Sequence, residues 1–388
     1  MSTVNNGPQI VRSGLVLDLD ASYMRSYSPN VMPNPTNIFA WSGTGNNNCT
    51  LSGDTTITRQ YGSIPLKMVM TGTDPYVGSY NSSIWNLASA ASGQTWTLSF
   101  YAKGSETLTG NCYIFGANSG GVYIEAAATS FTVTTSWQRF TFTTTFSNAS
   151  TAFIQMRFGG SSGQVGKTIW WDGVQLERAS AATNFNPYYF GNTSWRDTSG
   201  NGYNGSLISS PVFSNTNGGN FSFNGTSQYV DCGNVLASLT NLSLECFVKF
   251  GTQSSLYGGV ISKTLSNANG WEIRVGASTS TTTDLQFRYV GDSAAIGFNS
   301  SFNNGTWYHI VVTGTSGSQK AYVNGIQNGS GTTALSPSAN SNSLLIGQLA
   351  YGSQKVNMTM ACARIYNKVL SPEEVMRNYQ ATKTRFGL

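Results

Sequence analysis

The chain holds one histidine, His309, set in the run WYHIVVT. A serine or cysteine nucleophile would need that histidine at a cleft beside an orienting carboxylate, and a catalytic zinc site needs several ligands at fixed spacing. A lone histidine in a strand-like run meets neither requirement and reads as structural. Glycoside cleavage would need two carboxylates flanking the bond. Sixteen acidic residues are available; Glu125 with Asp172 is one pair the sequence leaves open without marking it out. A third chemistry is recognition without reaction, in which aromatic faces meet sugar C–H groups and planar polar side chains meet hydroxyls. Tyr101 and Lys103, with Tyr113, Gln155, Arg157 and Trp171 on neighbouring runs, make the candidate platform. Trp170 and Trp171 are adjacent, so in a strand they point to opposite faces. One of them looks outward or into a domain contact. The expectation is a binding protein, not an enzyme.

Short strands must carry these residues. Aromatics make up 12% of the 388 residues and charged residues 10%, well under the roughly 25% charged of an average soluble protein. Glycine, serine, threonine and asparagine fill the difference, a composition for pleated strands and tight turns. The runs TWTLSFYAKG (95–104), NCYIFGA (111–117), SWQRFTFTTTF (136–146), AFIQMRFGG (152–160) and TIWWDGVQLE (168–177) alternate with period two between turn-forming clusters. Residues 178–195 read as a linker, and a second strand series runs from Trp195 to about residue 370. Asn324-Gly325 between two such runs predicts a tight hairpin. At the C-terminus the period changes. Ser371, Pro372 and Glu374 spell a capping box for one short helix, expected to cover a sheet edge. The length suits two domains.

A net charge of +5 with scattered basic residues gives nothing to follow a phosphate backbone, so nucleic acid is not an expected partner. No run of 18 apolar residues predicts a membrane span, and the first residues show no apolar core of a cleaved leader. Five cysteines without a C-x-x-C pair read as free, partly buried thiols.

From Trp195 onward the chain resembles the concanavalin A-like, laminin G-like jelly roll. The resemblance rests on W-x-D-x-S-G-N-G-x-N-G at 195–205, FNGTSQYVDCG at 223–233, LSLECFVKF at 242–250, WYHIVVT at 307–313, KAYVNG at 320–325 and ARIYNKVLSPEE at 363–374. The family's opening strand matches GLVLDLDASYMRSY at 14–27, far upstream of Trp195. That separation implies an insertion: 1–29 and 191–388 as a discontinuous laminin G-like sandwich, interrupted in an early loop by a second sandwich at 30–190. The inserted stretch, with WTLSFYAKG, WQRFTFT and WWDGVQLERASAATNF, resembles carbohydrate-binding modules appended to bacterial glycanases. The resemblance implies a structural calcium ion at Asp172; in the other domain, Thr226, Ser227 and Gln228 stand where relatives carry acidic residues. The chain's first and last stretches, and the A-T-N-F-x-P ending of the insert, are similar to virion proteins of tailed phages. The implied place is a virion exterior, as capsid decoration or part of a tail or fibre, with other virion proteins and a host-surface glycan as partners and a homo-oligomer as a possible state. The competing expectations are a secreted bacterial polysaccharide-binding protein and a glycanase.

Overall fold

In Thr95–Gly104 the apolar side chains of Trp96, Leu98, Phe100 and Ala102 are buried on one face, while on the other Thr97 and Ser99 are covered and Tyr101 and Lys103 are half-exposed. That is a strand with one face on a core, and the same rule builds most of the molecule. The computed structural model describes residues 8–23, 26–27, 45–58, 60, 64–78, 87–185, 193–237, 239–265, 269–289, 295–334 and 337–388. Among them the elements are strands and a few short turns of helix, with one α-helix, Pro372–Thr382, near the C-terminus. The chain is all-β, and it forms two compact units: residues 28–192, and residues 1–27 together with 193–388.

The unit of residues 28–192 is a sandwich of two antiparallel sheets. One runs in the order Gln138–Thr145, Thr95–Gly104, Thr168–Glu177, Leu66–Met70, Cys49–Gly53. The other runs Gly45–Asn47, Tyr76–Gly78, Phe153–Gly160, Leu108–Ala117, Tyr123–Val133, with Ala88–Ser89 added to Phe153–Gly160. Phe100 and Trp171 from the first sheet meet Ile114, Ile154 and Phe158 from the second in one core.

In the other unit, Leu15–Asp20 pairs antiparallel with Asn357–Tyr366, placing Asp18 opposite Arg364. Asn357–Tyr366 lies between Asn220–Asn224 and Leu242–Phe250 in an eight-stranded sheet. A nine-stranded sheet packs against it, and Trp195, Phe221, Trp271, Phe287 and Ile310 share the core between them. The Asn324-Gly325 hairpin forms as its residues dictate, with φ of 50° and 83°, the left-handed conformations a type I′ turn requires.

The C-terminal helix has its capping box: Ser371 Oγ accepts the Glu374 amide, and a Glu374 carboxylate oxygen accepts the Ser371 amide at 3.0 Å. Its position corrects the expectation of an edge cover. Asn378 reaches Glu245 at 2.6 Å, Val375 packs with Val311 and Tyr366, and Phe386 just beyond it stacks on Phe247 at 4.8 Å. The helix therefore lies on the outward face of the eight-stranded sheet. A single apolar stripe would leave that face's polar groups unmatched; Asn378 matches them.

All five cysteines are free and buried. Burial pushes the Cys112 and Cys362 thiols up to about 12, and only the thiolate is a nucleophile. Native protein at pH 8 is thus expected to release almost no colour with an aromatic disulfide reagent, and to titrate all five thiols once unfolded in guanidinium. Rapid native reaction of one or more thiols would contradict this burial.

Candidate functional site

The sequence platform divides between two sheets. Tyr101 is on the outward face of the five-stranded sheet, in register with Arg139 on one neighbour and Asp172 on the other. Trp171 is on the same sheet but points the other way, fully buried and tilted against Phe158 at 4.6 Å and Phe100 at 5.4 Å. Its proposed ligand role is therefore corrected: a ring wholly inside the core presents no face to a sugar. Trp170 is the outward partner. Its indole N–H donates to Asp54 Oδ2 at 2.9 Å. The hydroxyl and amide of Thr56, and then that indole, hold the Asp54 carboxyl at about 2. The Lys103 ammonium stands 5.3 Å from the Trp170 ring and 5.9 Å from that of Trp137.

Tyr113, Gln155 and Arg157 do come together, on the outward face of the six-stranded sheet. Register pairs Arg157 with Tyr113 and Gln155 with Phe115. The Arg157 guanidinium lies 4.1 Å from the Tyr113 ring and 4.5 Å from the Tyr76 ring, a cation held between two aromatic faces. Tyr113 stacks nearly parallel on Phe115 at 5.7 Å, and Phe115 meets Tyr123 at the same separation. On the next strand Ala126 and Ala128 lie opposite Phe115 and Tyr113. Their small side chains leave the flank of the row open. Asp74 stands 3.8 Å from Arg157. Gln155 has a different task from the one the sequence suggested. It is buried, and its Nε2 donates to the Gly121 carbonyl at 2.8 Å, pinning the loop that borders the row. Sequence reading missed Tyr76, Phe115 and Tyr123. Phe115 shares its parity with Tyr113 and could have been found; Tyr76 lies in a three-residue strand too short to alternate.

Glu125 and Asp172 do not come together as a pair. Glu125 accepts the amides of Ser147 and Asn148 and the hydroxyl of Thr151. Burial pushes its carboxyl up, but those bonds outweigh it and hold the group below the ordinary range. Asp172 belongs to the other sheet and is buried at a bulge, where its Oδ1 accepts the Gly173 amide at 2.8 Å. A pair split between two sheets, with both members engaged by backbone donors, is not an acid–base dyad. Calcium takes six to eight oxygens. Among the described residues no group of three or more His, Cys, Asp or Glu side chains is placed to hold a metal ion, so any calcium at Asp172 would have to take most of its oxygens from backbone carbonyls and water.

In the other unit His309 is buried, its Nε2 3.3 Å from Glu245 Oε1, with its ring stacked between Phe247 and Tyr379. Glu245 and Asp18 flank Arg364 in register on either side. Arg364 bonds Asp18 at 3.0 Å, Glu245 at 2.8 Å and Asp20 at 2.7 Å. Tyr366 and Asn378 complete the shell of Glu245 at 3.2 and 2.6 Å. These groups lie under the C-terminal helix and are closed to a substrate.

Residues 224–376 match the family model described as the concanavalin A-like lectin/glucanases superfamily. No curated protein matches the chain in sequence. Domain 4 of AbnA, a GH43 extracellular arabinanase from Geobacillus stearothermophilus, solved with arabinotriose, is 19% identical; the match covers 48% of this chain and 92% of that one, with a TM-score of 0.39. The botulinum neurotoxin type G receptor-binding domain is 16% identical, with 47% of each chain covered and a TM-score of 0.35. The serotype D ligand-binding domain, solved with N-acetylneuraminic acid, is 17% identical, with 47% of each covered and a TM-score of 0.37. The chain thus spans about half the length of those toxin structures. Residues 224–376 carry a laminin G-like domain of the concanavalin A-like lectin/glucanase superfamily.

Proposed function

We propose that this protein binds glycan, without cleaving it, through the outward face of the six-stranded sheet. The observation that carries the reading is the row Tyr76–Arg157–Tyr113, with the exposed Tyr123 beyond the buried Phe115 ring that supports both tyrosines, flanked by Ala126 and Ala128. Aromatic faces give a sugar's C–H surface something to stack on, and the guanidinium edge gives hydroxyls a planar donor. The two glycine-free, alanine-lined positions keep an extended chain from being blocked. We further propose that the protein works on the exterior of a phage particle, alongside other virion proteins. That part rests on the resemblance of its end segments to tailed-phage virion proteins and on its charge-poor, Ser/Thr/Asn-rich surface.

The test is a glycan array and titration with the full chain and its Tyr113→Ala variant. Wild type is expected to retain a subset of polysaccharides, and the variant to bind them about 10- to 100-fold more weakly with an unchanged melting temperature. Equal binding by both proteins, or release of reducing ends during incubation, would sink the reading. Mass spectrometry of purified particles from an infected host should find the chain at stoichiometric abundance if the virion assignment holds.

A further inference from the structure

The unit of residues 1–27 and 193–388 has a hollow of about 350 Å³ on the outward side of its nine-stranded sheet. Asp284 and Gln286 form its floor, two residues apart on Thr282–Tyr289 and so on the same face. Both neighbouring strands present glycine there. Gly297 stands opposite Gln286, and a side chain added at Gly297 would project into open space. On the other strand, Gly276 lies against the Gln286 side chain. The trough is therefore walled by backbone, with Phe298, Asn299 and Ser301 along its rim. Its size is at the lower end of small-ligand sites.

The Gln286 amide is held in one orientation. Arg274 donates to Gln286 Oε1 twice, from Nε at 3.1 Å and from Nη2 at 2.9 Å. With the oxygen so engaged, the amide presents its NH₂ group as a donor. Arg274 is itself set by the Tyr257 ring at 4.6 Å. The Asp284 carboxylate makes no hydrogen bond or ion pair with the described residues. A fixed amide donor beside an open carboxylate acceptor matches two adjacent hydroxyls of one sugar ring. No lysine, arginine or histidine lines the hollow, and the Arg274 guanidinium beside it is turned onto Gln286 Oε1, so the charge the lining itself presents to an acidic ligand is the repelling one of Asp284.

We propose that this trough is a second saccharide site, separate from the Tyr113 row, that takes a neutral sugar residue by a vicinal hydroxyl pair on Asp284 and Gln286. The proposal goes beyond the function argued above and does not depend on it, because the two sites lie in different units.

The experiment uses the full chain carrying Tyr113→Ala, which silences the first site and leaves the trough intact. Saturation-transfer NMR and calorimetry are run with glucose, galactose, mannose, xylose and arabinose, with glucuronic acid and glucosamine as charged comparators. At least one neutral sugar is expected to bind, and glucuronic acid to bind none. Adding Asp284→Asn, which keeps the shape, or Gly297→Val, which fills open space without a positive φ, should each weaken that binding about tenfold or more. No neutral sugar bound in the Tyr113→Ala protein, binding insensitive to both added changes, or a preference for glucuronic acid or glucosamine would each overturn the proposal. Loss of the Tyr113 site alone would leave it standing.

Discussion

Replacing Arg364 by methionine is expected to destabilise the unit of residues 1–27 and 193–388 by about 3–5 kcal/mol, the cost of removing one partner from a buried ionic cluster. The side chain is 1% exposed and bonds three carboxylates at once. Without it, the buried Glu245 carboxylate loses its cation, while Asp18 and Asp20 keep as cations only the partly exposed Arg12 and Arg385. Methionine fills most of the volume, so the loss reports charge and not a cavity. The pH dependence separates this account from simple packing. Burial pushes the Glu245 carboxyl up, but Arg364 and then His309 outweigh it and hold it at about 2. Asp20 is likewise lowered, burial being outweighed by Arg364 and Arg385. Carboxylates depressed on folding contribute stability that is present above their unfolded pKa and lost as pH falls through the folded one. Wild type should therefore keep this contribution from neutral pH to about 4.5 and lose it towards pH 2. In the variant burial acts on Glu245 with much less opposition, its carboxyl rises, and the folded state takes up a proton there before the unfolded state does. Its stability should then climb as pH falls from 7, so the gap to wild type narrows by pH 5. Urea unfolding at pH 7, 6 and 5 measures it. A loss below about 1 kcal/mol at pH 7, or a gap constant with pH, would show the cluster is not a charge-compensated one. Adding Glu245→Gln should return part of the loss.

What made the fold class legible was alternation. Runs such as TWTLSFYAKG contain little besides a period-two pattern, and each of the long ones is a strand. The hairpin at Asn324-Gly325 and the capped helix were equally local, since turn and cap chemistry is written in three or four residues. The pairings were not local. Nothing in Leu15–Asp20 states that Asp18 will face Arg364, 346 residues away. Binding residues were legible as types but not as neighbours. Tyr101 and Tyr113 both alternate outward from their strands, yet the strands belong to different sheets of one sandwich, so a flat reading joined them on one platform. Gln155 looked like a ligand group because a planar amide suits either a hydroxyl or a carbonyl; only the position of Gly121 shows which it serves.

The tryptophan pair shows where such reading stops, and Trp171→Ala tests it. Two adjacent tryptophans must part to opposite faces, but the sequence does not say which faces inward: both have Lys67 and Lys103 strands as neighbours, and the bulge after Asp172 resets parity before the core residues Val174 and Leu176. In the structure Trp171 is enclosed by Phe100, Phe131 and Phe158, and Trp170 lies outside beside Lys103. Trp171→Ala is therefore expected to cost about 3–5 kcal/mol, the transfer free energy of the ring plus the cavity it leaves, and to lower the melting transition of the unit 28–192 while the other unit's transition stays in place. Trp170→Ala should cost far less, about 1–2 kcal/mol for an exposed cation–π contact and one hydrogen bond to a carboxylate. Calorimetry of the full chain, with limited proteolysis to assign each transition to its unit, makes the comparison. Were Trp171→Ala to melt like wild type, or Trp170→Ala to be the more damaging, the two faces would have been exchanged. The same pair guards the reading of function: glycan binding lost in Trp171→Ala together with its melting transition reports an unfolded sandwich, whereas binding lost in Tyr113→Ala at an unchanged transition reports a missing contact.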